Sequence, residues 1–302
     1  MLFIEPAEKY KGIKITMKNI LNKIYLSRRS IILLPLLLFL NSCEIDRTYG
    51  EPLLLSFTRS GDIWLMDING QSLRQITATG NNDSSSWSPD CTKIVFQSSR
   101  DGNDEIFIMN PDGSGQKQLT FTSGADYCRC PTFMPDGENI VFFRMVNPVP
   151  YFFIIKTDGT FVKQVSAPSG ILNLTVSPDG RFIASMDGPN QISRTNVETG
   201  LQEVFVSPSS RFNPSWSPDG KYVALISGSN VSLIDTSAAL PVTPADIYAF
   251  TGLESPVWTP DSGYLYFIQN SNICRITISG ADFIQLTSSS SDSNPCVQGK
   301  PR

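Results

Sequence analysis

The stretch SWSPDCTKIVFQSSRDGNDEIFIMNPDGSGQKQLT, from Ser86 to Thr120, decides the fold of this chain. Its opening turn returns four more times, and the copies are TFMPDG (132–137), TVSPDG (175–180), SWSPDG (215–220) and VWTPDS (257–262). The aspartates of these turns are separated by 46, 43, 40 and 42 residues, and they are Asp90, Asp136, Asp179, Asp219 and Asp261. Periods of about 40–45 residues with four strands per unit are typical of β-propeller blades.

Each unit is predicted to form four short strands, here called A to D from the inside outwards. In the first full copy, strand A ends at Trp87, strand B is KIVFQS, strand C is EIFIMN and strand D is KQLT. Alternating apolar residues and β-branched side chains favour strands over helices. Proline sets the first corner of the A–B turn, aspartate bonds nearby backbone, and glycine takes the left-handed position. Cys91 and Ser262 stand where glycine is expected, which predicts strain there.

The two ends of the repeat region predict that the ring is closed. Residues 52–77 supply strands B, C and D of one blade without a preceding strand A. Near the other end, SNPCVQG (293–299) matches FNPSWSP (212–218) and then stops. The final strand is therefore expected to complete the first blade, so that no sheet edge is left open between first and last blades. The prediction is an all-β, six-bladed propeller of four-stranded antiparallel blades over residues 52–298.

The segment before the propeller is predicted to be an export signal. Basic residues precede an apolar run, Ile31 to Leu40, which is too short to span a bilayer and suits a signal peptide. The run ends in LNSC at Cys43, which resembles the lipobox of bacterial lipoproteins. We expect a signal peptide at 1–42, with Met17 as an alternative translation start, then a lipidated Cys43 and a tether to residue 51. The alternative is an ordinary secretory signal with an incidental cysteine.

Composition excludes several classes of function. The chain has 302 residues and no histidine, which removes histidine bases, triads and metal ligands. Its formal net charge is −4, and loss of residues 1–42 removes 7 basic and 2 acidic residues to leave −9. An acidic surface disfavours nucleic acid and anionic lipid headgroups. The membrane would therefore be reached through the N-terminal lipid only.

The repeat resembles the WD40-like repeat of the TolB-like β-propeller family over roughly residues 52–298. The pattern that carries the likeness is PxWSPDGxxIxFxSxRDGNxEIxxMxxDGSxxxxLT, and Ser86–Thr120 matches it almost throughout. The resemblance implies a propeller that binds a protein in the bacterial envelope, since TolB itself binds the peptidoglycan-associated lipoprotein. This chain departs from TolB by having no room for its extra N-terminal α/β domain, and by looking lipidated.

The sequence offers no catalytic motif, and we expect no catalytic residue, cofactor or metal. It has no GxSxG, P-loop or GxGxxG, and no zinc-binding cysteine cluster. The five turn aspartates are interpreted as structural, because one per blade places them too far apart to act together. Trp87, Trp216 and Trp258 share one repeat position, which favours packing between blades over a ligand cage. Pairing among the cysteines after Cys43 stays open, with Cys274 and Cys296 as one candidate pair.

Binding is expected in the loops that enter the inner strands and surround the channel mouth. The candidate residues there are Asp83, Tyr127, Arg129, Arg211, Phe212 and Glu254. Exposed aromatic and arginine side chains are effective interface anchors. The sequence thus favours a monomeric, non-catalytic, lipid-anchored scaffold that binds a protein partner in the envelope, with the outer membrane preferred. A carbohydrate- or peptidoglycan-binding module is the alternative, and an enzyme related to lyases or peptidases is third.

Overall fold

The computed structural model describes residues 53–168, 173–188, 191–206, 213–238, 240, 244–249 and 251–299. Within these ranges the chain forms 24 strands in six four-stranded antiparallel sheets, and no helix. No described segment forms a helix long and apolar enough to cross a membrane. The predicted all-β, six-bladed propeller with four-stranded blades is therefore confirmed.

Each blade runs from an inner strand A to an outer strand D. The strands of the first three blades, from A to D, are β24 (Asp292–Val297), β1 (Leu54–Arg59), β2 (Asp62–Asp67), β3 (Arg74–Gln75); β4 (Asn82–Trp87), β5 (Ile94–Ser98), β6 (Glu105–Met109), β7 (Lys117–Gln118); β8 (Tyr127–Phe133), β9 (Asn139–Val146), β10 (Val149–Lys156), β11 (Phe161–Ser166). Those of blades 4 to 6 are β12 (Leu174–Val176), β13 (Phe182–Met186), β14 (Ile192–Asn196), β15 (Gln202–Val206); β16 (Ser215–Trp216), β17 (Tyr222–Ser227), β18 (Asn230–Asp235), β19 (Ala245–Ala249); β20 (Leu253–Trp258), β21 (Tyr264–Gln269), β22 (Asn272–Thr277), β23 (Ile284–Gln285).

The core consists of six apolar clusters, each shared by two neighbouring blades. Strand β5 shows how one strand serves two of them: Ile94 and Phe96 pack towards blade 1, while Val95 between them packs towards blade 3. Successive side chains of a strand point to opposite faces, so each inner sheet contributes to both of its interfaces. The blades are therefore held together by buried apolar surface on both sides.

The shared tryptophan position belongs to these interfaces, as predicted. Trp87 is 5% exposed and packs against residues of blade 1. Trp258 is equally buried against blade 5, and its indole nitrogen donates to the carbonyl of Ser215 at 2.9 Å. Trp216 stacks on Phe205 of the preceding blade, with ring centroids 5.8 Å apart.

The ring closes as the sequence predicts. Strand β24 pairs antiparallel with β1, so the last strand of the chain supplies the innermost strand of blade 1. Residues Arg59 and Asp292 face each other at the end of this pair. The seam is thus an ordinary strand pair inside one sheet, and its edge is not exposed to pairing with another chain.

The A–B turns of blades 2 to 6 use their aspartates in the same way. In blade 2, the Asp90 carboxylate accepts from the Ser88 hydroxyl at 2.6 Å and from the Thr92 N–H at 3.1 Å. Equivalent bonds reach the other four aspartates from nearby hydroxyl or N–H groups, namely Asp136, Asp179, Asp219 and Asp261. Cys91 and Ser262 have φ of 63° and 59°, the left-handed region in which non-glycine residues are strained.

Candidate functional site

The inner strands are interrupted at one repeated place beside the channel. In blades 1, 2, 3 and 6, the pairing of strands A and B skips a register, which marks a β-bulge. The bulge falls three residues before the shared tryptophan position. The residues at this place, here called the ring position, are Asn294, Ser84, Cys130, Asn173, Asn213 and Ser255 in blades 1 to 6. Bulges re-aim side chains and are frequent next to functional sites.

The ring position is also conformationally strained. Asn294, Ser84, Cys130 and Ser255 have φ of 45°, 51°, 53° and 50°, although none is glycine. Left-handed conformations of non-glycine residues cost about 1–2 kcal/mol and gather at functional sites. Four equivalent residues sharing this strain at one end of the channel make the channel mouth the candidate site.

Side chains at the ring position form a chain of hydrogen bonds that passes from blade to blade. The Asn173 amide donates to Asn213 at 2.8 Å, and the Asn213 amide donates to the Ser255 hydroxyl at 3.1 Å. The Ser255 hydroxyl in turn donates to Asn294 at 3.3 Å. The Asn294 amide then donates to the carboxylate of Asp83 at 2.7 Å. Five of the six blades are connected by these bonds.

Two cavities lie on this chain of bonds. One, of about 170 Å³, is lined by the inner strands of all six blades and lies along the channel. The other, of about 230 Å³, is here called the mouth cavity and is lined by Asp83, Ser84, Gln97, Arg129, Cys130, Asn173 and Asn294. The mouth cavity lies where blade 3 places a thiol, Cys130, instead of an amide or hydroxyl at the ring position. At this size it suits a single side-chain head group, because drug-sized ligands need about 300 Å³ or more.

The charged groups at the mouth are arranged in defined pairs. The Arg129 Nε donates to the Asp104 carboxylate at 2.5 Å, and its guanidinium lies 4.5 Å from the centre of the Tyr127 ring. Beside this pair, the buried carboxylate of Glu105 accepts from the hydroxyls of Thr120 and Thr122, both at 2.5 Å. The Arg129 side chain is 47% exposed, so it borders the cavity without being sealed in it.

Thiols near the mouth are held in their neutral form. Burial, followed by the charge of Asp83, raises the pKa of Cys130 to about 12. Burial, followed by the charge of Glu105, raises the pKa of Cys128 to about 12 as well. A thiol with a raised pKa is a poor nucleophile and a poor metal ligand at neutral pH. Among the described residues, no group of three or more Asp, Glu or Cys side chains could hold a metal ion.

The structure places three of the predicted binding residues at the mouth cavity and one away from it. Asp83 and Arg129 line the mouth cavity, and Tyr127 packs beside Arg129. Glu254 is exposed on β20 and lines neither cavity. These four residues were expected in loops, but they belong to the inner strands, which begin earlier than the turn pattern suggested. Arg211, Phe212 and Cys43 lie outside the described residues.

The sequence-based expectation missed the ring position itself. The sequence does indicate this position, because in every blade the residue three places before the shared tryptophan position is Ser, Asn or Cys. Proline follows the ring position in four blades, at Pro131, Pro214, Pro256 and Pro295. The candidate disulfide between Cys274 and Cys296 is not formed, because both residues are free thiols in the structure.

Comparison with known proteins agrees with this geometry. The TolB beta propeller domain family matches residues 48–183. TolB of Acinetobacter baumannii has a crystal structure that superposes with a TM-score of 0.70 at 20% identity, covering 82% of this chain and 67% of that one. Residues 48–183 carry TolB-type propeller repeats. The predicted resemblance to TolB-like propellers is thereby confirmed. The superposition shows that the two proteins also share the propeller fold.

Three sequence relatives match shorter parts of the TolB-like propeller. An uncharacterized protein of Agrobacterium fabrum is 36% identical over 94 residues, which cover 29% of this chain and 31% of that protein. The Tol-Pal system protein TolB of Francisella tularensis is 26% identical over 163 residues, or 46% of this chain and 35% of TolB. Dipeptidyl-peptidase 5 of Porphyromonas endodontalis is 29% identical over 121 residues, which cover 37% of this chain and 17% of that protein. The chain thus spans about a third or less of the length of each.

Proposed function

We propose that this TolB-like propeller is a non-catalytic scaffold of the bacterial cell envelope that binds a protein partner at its channel mouth. The observation that carries the proposal is the ring position, where four blades hold a non-glycine residue in a left-handed conformation beside a cavity. Strain that recurs at equivalent places is retained when the resulting arrangement has a use. Tyr127 and Arg129 at the rim add the side-chain types that anchor protein interfaces.

Attachment to the envelope is part of the proposal and rests on the sequence. The basic residues, the apolar run and the LNSC ending at Cys43 support export and lipidation. The matching TolB-type repeats support an envelope setting by analogy. Lipid on Cys43 would leave the propeller, with its acidic surface, facing an aqueous compartment.

A role without catalysis fits the chemistry of the mouth. Asp83 is the only acidic side chain that lines either described cavity, so the paired carboxylates of many hydrolases and lyases are not brought together there. The whole chain has no histidine to serve as a base. The name of the dipeptidyl-peptidase relative describes that protein, of which the alignment covers 17%.

Site-specific photo-crosslinking tests the proposed function. The full chain is expressed in a lipoprotein-processing bacterium with a benzophenone amino acid in place of Tyr127, or in place of Phe283 as the matched control. Phe283 is an aromatic residue that is 41% exposed, and it lies next to the outer strand β23, away from the mouth. We expect a protein adduct from position 127 that is absent from position 283 and reduced by Arg129→Ala.

Other outcomes of the crosslinking would contradict parts of the proposal. A glycan adduct at position 127 would favour the carbohydrate-binding alternative, and adducts of equal yield at both positions would remove the mouth as the site. Cys43→Ser is expected to shift the protein from the membrane fraction to the soluble fraction. Retention of this variant in the membrane would contradict the lipid anchor but not the binding site.

A further inference from the structure

The mouth cavity contains a carboxylate whose charge has no ionic partner among the described residues. Asp83 accepts hydrogen bonds from the Thr58 hydroxyl at 2.7 Å, the Ser84 N–H at 2.8 Å and the Asn294 amide at 2.7 Å. All three donors are neutral, and all three bonds fall on Oδ1. The carboxylate is therefore held in one orientation by its first oxygen, while its negative charge remains for another group to balance.

The arginines described near the mouth have other partners. Arg129, which lines the same cavity, forms its ion pair with Asp104, and Arg59 forms its own with Asp292. Arg144 lies 3.5 Å from the carboxylate of Asp126. Arg100 donates from all three guanidinium nitrogens, to Ser98, Gln116 and Asn82. Each of these four arginines thus has an acceptor other than Asp83.

The neutral lining of the cavity also suits a cation. Gln97, Asn173 and Asn294 contribute amide groups, and Cys130 contributes a thiol that stays protonated because its pKa is raised. Amide and hydroxyl oxygens can accept hydrogen bonds from a cation without adding charge.

We propose that the mouth cavity binds an ammonium or guanidinium group presented by a partner peptide, with Asp83 as its counter-ion. The inference rests on the proposed function and specifies its chemistry: the partner inserts a basic group among the residues of blades 1 to 4 that line this cavity. One carboxylate and a cavity of about 230 Å³ match one organic cation, whereas Ca²⁺ takes six to eight oxygen ligands, often from several carboxylates. Arg129 and Tyr127 then contact the peptide around the inserted group.

Selection from a random peptide library on the immobilised full chain tests this inference. We expect selected peptides to share Lys, Arg or a required free N-terminus at one position, and to lose at least about tenfold in affinity against Asp83→Asn. This substitution keeps an Oδ1 acceptor for Thr58, Ser84 and Asn294 and removes only the charge. Asp101→Asn, which removes one charge from an exposed loop on the same face, is the matched control and should leave affinity within about twofold.

Synthetic versions of the selected peptides identify the source of the cation. In a peptide whose cation is a lysine, replacement of that lysine by norleucine should abolish binding to the wild-type protein. In a peptide whose cation is the free N-terminus, acetylation of the N-terminus should do the same. Thermal unfolding of Asp83→Asn checks that the variant is folded. Competition by calcium chloride at constant ionic strength should be absent, and specific competition would contradict an organic cation.

The failure of this inference and that of the proposed function are distinguishable. Peptides that need Tyr127 and Arg129 but bind Asp83→Asn as well as wild type would overturn the cation site and leave the mouth as a binding surface. A library that yields no peptide sensitive to any of these three positions would overturn both.

Discussion

Arg59 and Asp292 form a bidentate ion pair across the seam of the ring, although 233 residues separate them in sequence. The Arg59 Nε and one terminal nitrogen lie 2.6 and 3.0 Å from the two carboxylate oxygens of Asp292. The Asp292 side chain is fully buried, that of Arg59 is 19% exposed, and the guanidinium lies over the rings of Phe57 and Trp64. The strand that closes the ring is thereby fixed in register by a charge pair as well as by backbone bonds.

Removal of Arg59 is expected to weaken ring closure. Arg59→Met keeps the apolar stem but leaves the buried Asp292 carboxylate without its cation, which should lower the free energy of unfolding by about 3 kcal/mol. Urea unfolding of the full chain measures this change. The control is Arg194→Met, because Arg194 pairs with the exposed Glu203 at 2.8 Å and should cost under about 1 kcal/mol. Equal decreases in the free energy of unfolding of the two variants would show that the Arg59–Asp292 pair stabilises the fold no more than an exposed ion pair does.

The buried thiols predict a loss of stability at high pH. The pKa is about 12 for Cys128 and about 11 for Cys274, in both cases because burial disfavours the thiolate. An unfolded cysteine ionises near pH 8.5, so above this pH only the unfolded chain releases these protons and unfolding becomes easier. For Cys128 the loss should reach about 2 kcal/mol at pH 10.

Unfolding of wild type and Cys128→Ala in urea between pH 7 and pH 10 measures this effect. The difference in stability between the two proteins should shrink as the pH rises, because the variant lacks the ionising group. Iodoacetamide labelling followed by mass spectrometry should find Cys128 and Cys274 protected at pH 8 without urea and labelled in it. Rapid labelling of either residue in the native protein would contradict the raised pKa.

The turn aspartates predict a smaller effect at low pH. The Ser88 hydroxyl, with help from the Thr92 N–H, lowers the pKa of Asp90 below its ordinary value. The carboxylate therefore stabilises the fold above about pH 4, and this contribution is lost as the pH falls through the lowered pKa. Asp90→Ala should cost about 1 kcal/mol at pH 7 and progressively less below pH 4.

Thermal unfolding of Asp90→Ala and wild type from pH 7 to pH 3 checks this prediction. Ser88→Ala serves as the companion variant, because it removes the hydroxyl donor and leaves the carboxylate in place. It should reduce the stability by less than Asp90→Ala does. A cost of Asp90→Ala that does not change with pH would mean that the turn needs the shape of the side chain rather than its charge.

The propeller could be predicted because its determinants are local and repeated. Each A–B turn carries its own proline and aspartate, so five copies fix the blade length without any long-range information. The closing strand could be predicted because residues 293–299 repeat the strand A motif of residues 212–218, while residues 52–77 supply only strands B, C and D of their blade. The tryptophan position followed from the same alignment, since large apolar residues at one repeat position indicate packing between blades.

The candidate site could be predicted only in part. Asp83 and Arg129 were expected at the mouth, but the pairing of Arg129 with Asp104 depends on how blades 2 and 3 face each other. The ring position was visible as a column of small polar residues. Its bulge and its hydrogen bonds, such as that from Asn294 to Asp83 across 211 residues, arise only when the ring closes.

Asn294 allows the strain and the hydrogen bonds of the ring position to be measured separately. It has φ of 45°, donates to Asp83 and accepts from Ser255. Asn294→Gly removes both hydrogen bonds but tolerates the left-handed backbone, whereas Asn294→Ala removes the bonds and keeps the strain. We expect the alanine variant to be about 1 kcal/mol less stable than the glycine variant in urea unfolding. Equal stabilities would show that the backbone at this position is not strained. A glycine variant as stable as wild type would show that the hydrogen bonds add nothing to stability, which would leave binding as the reason for their presence.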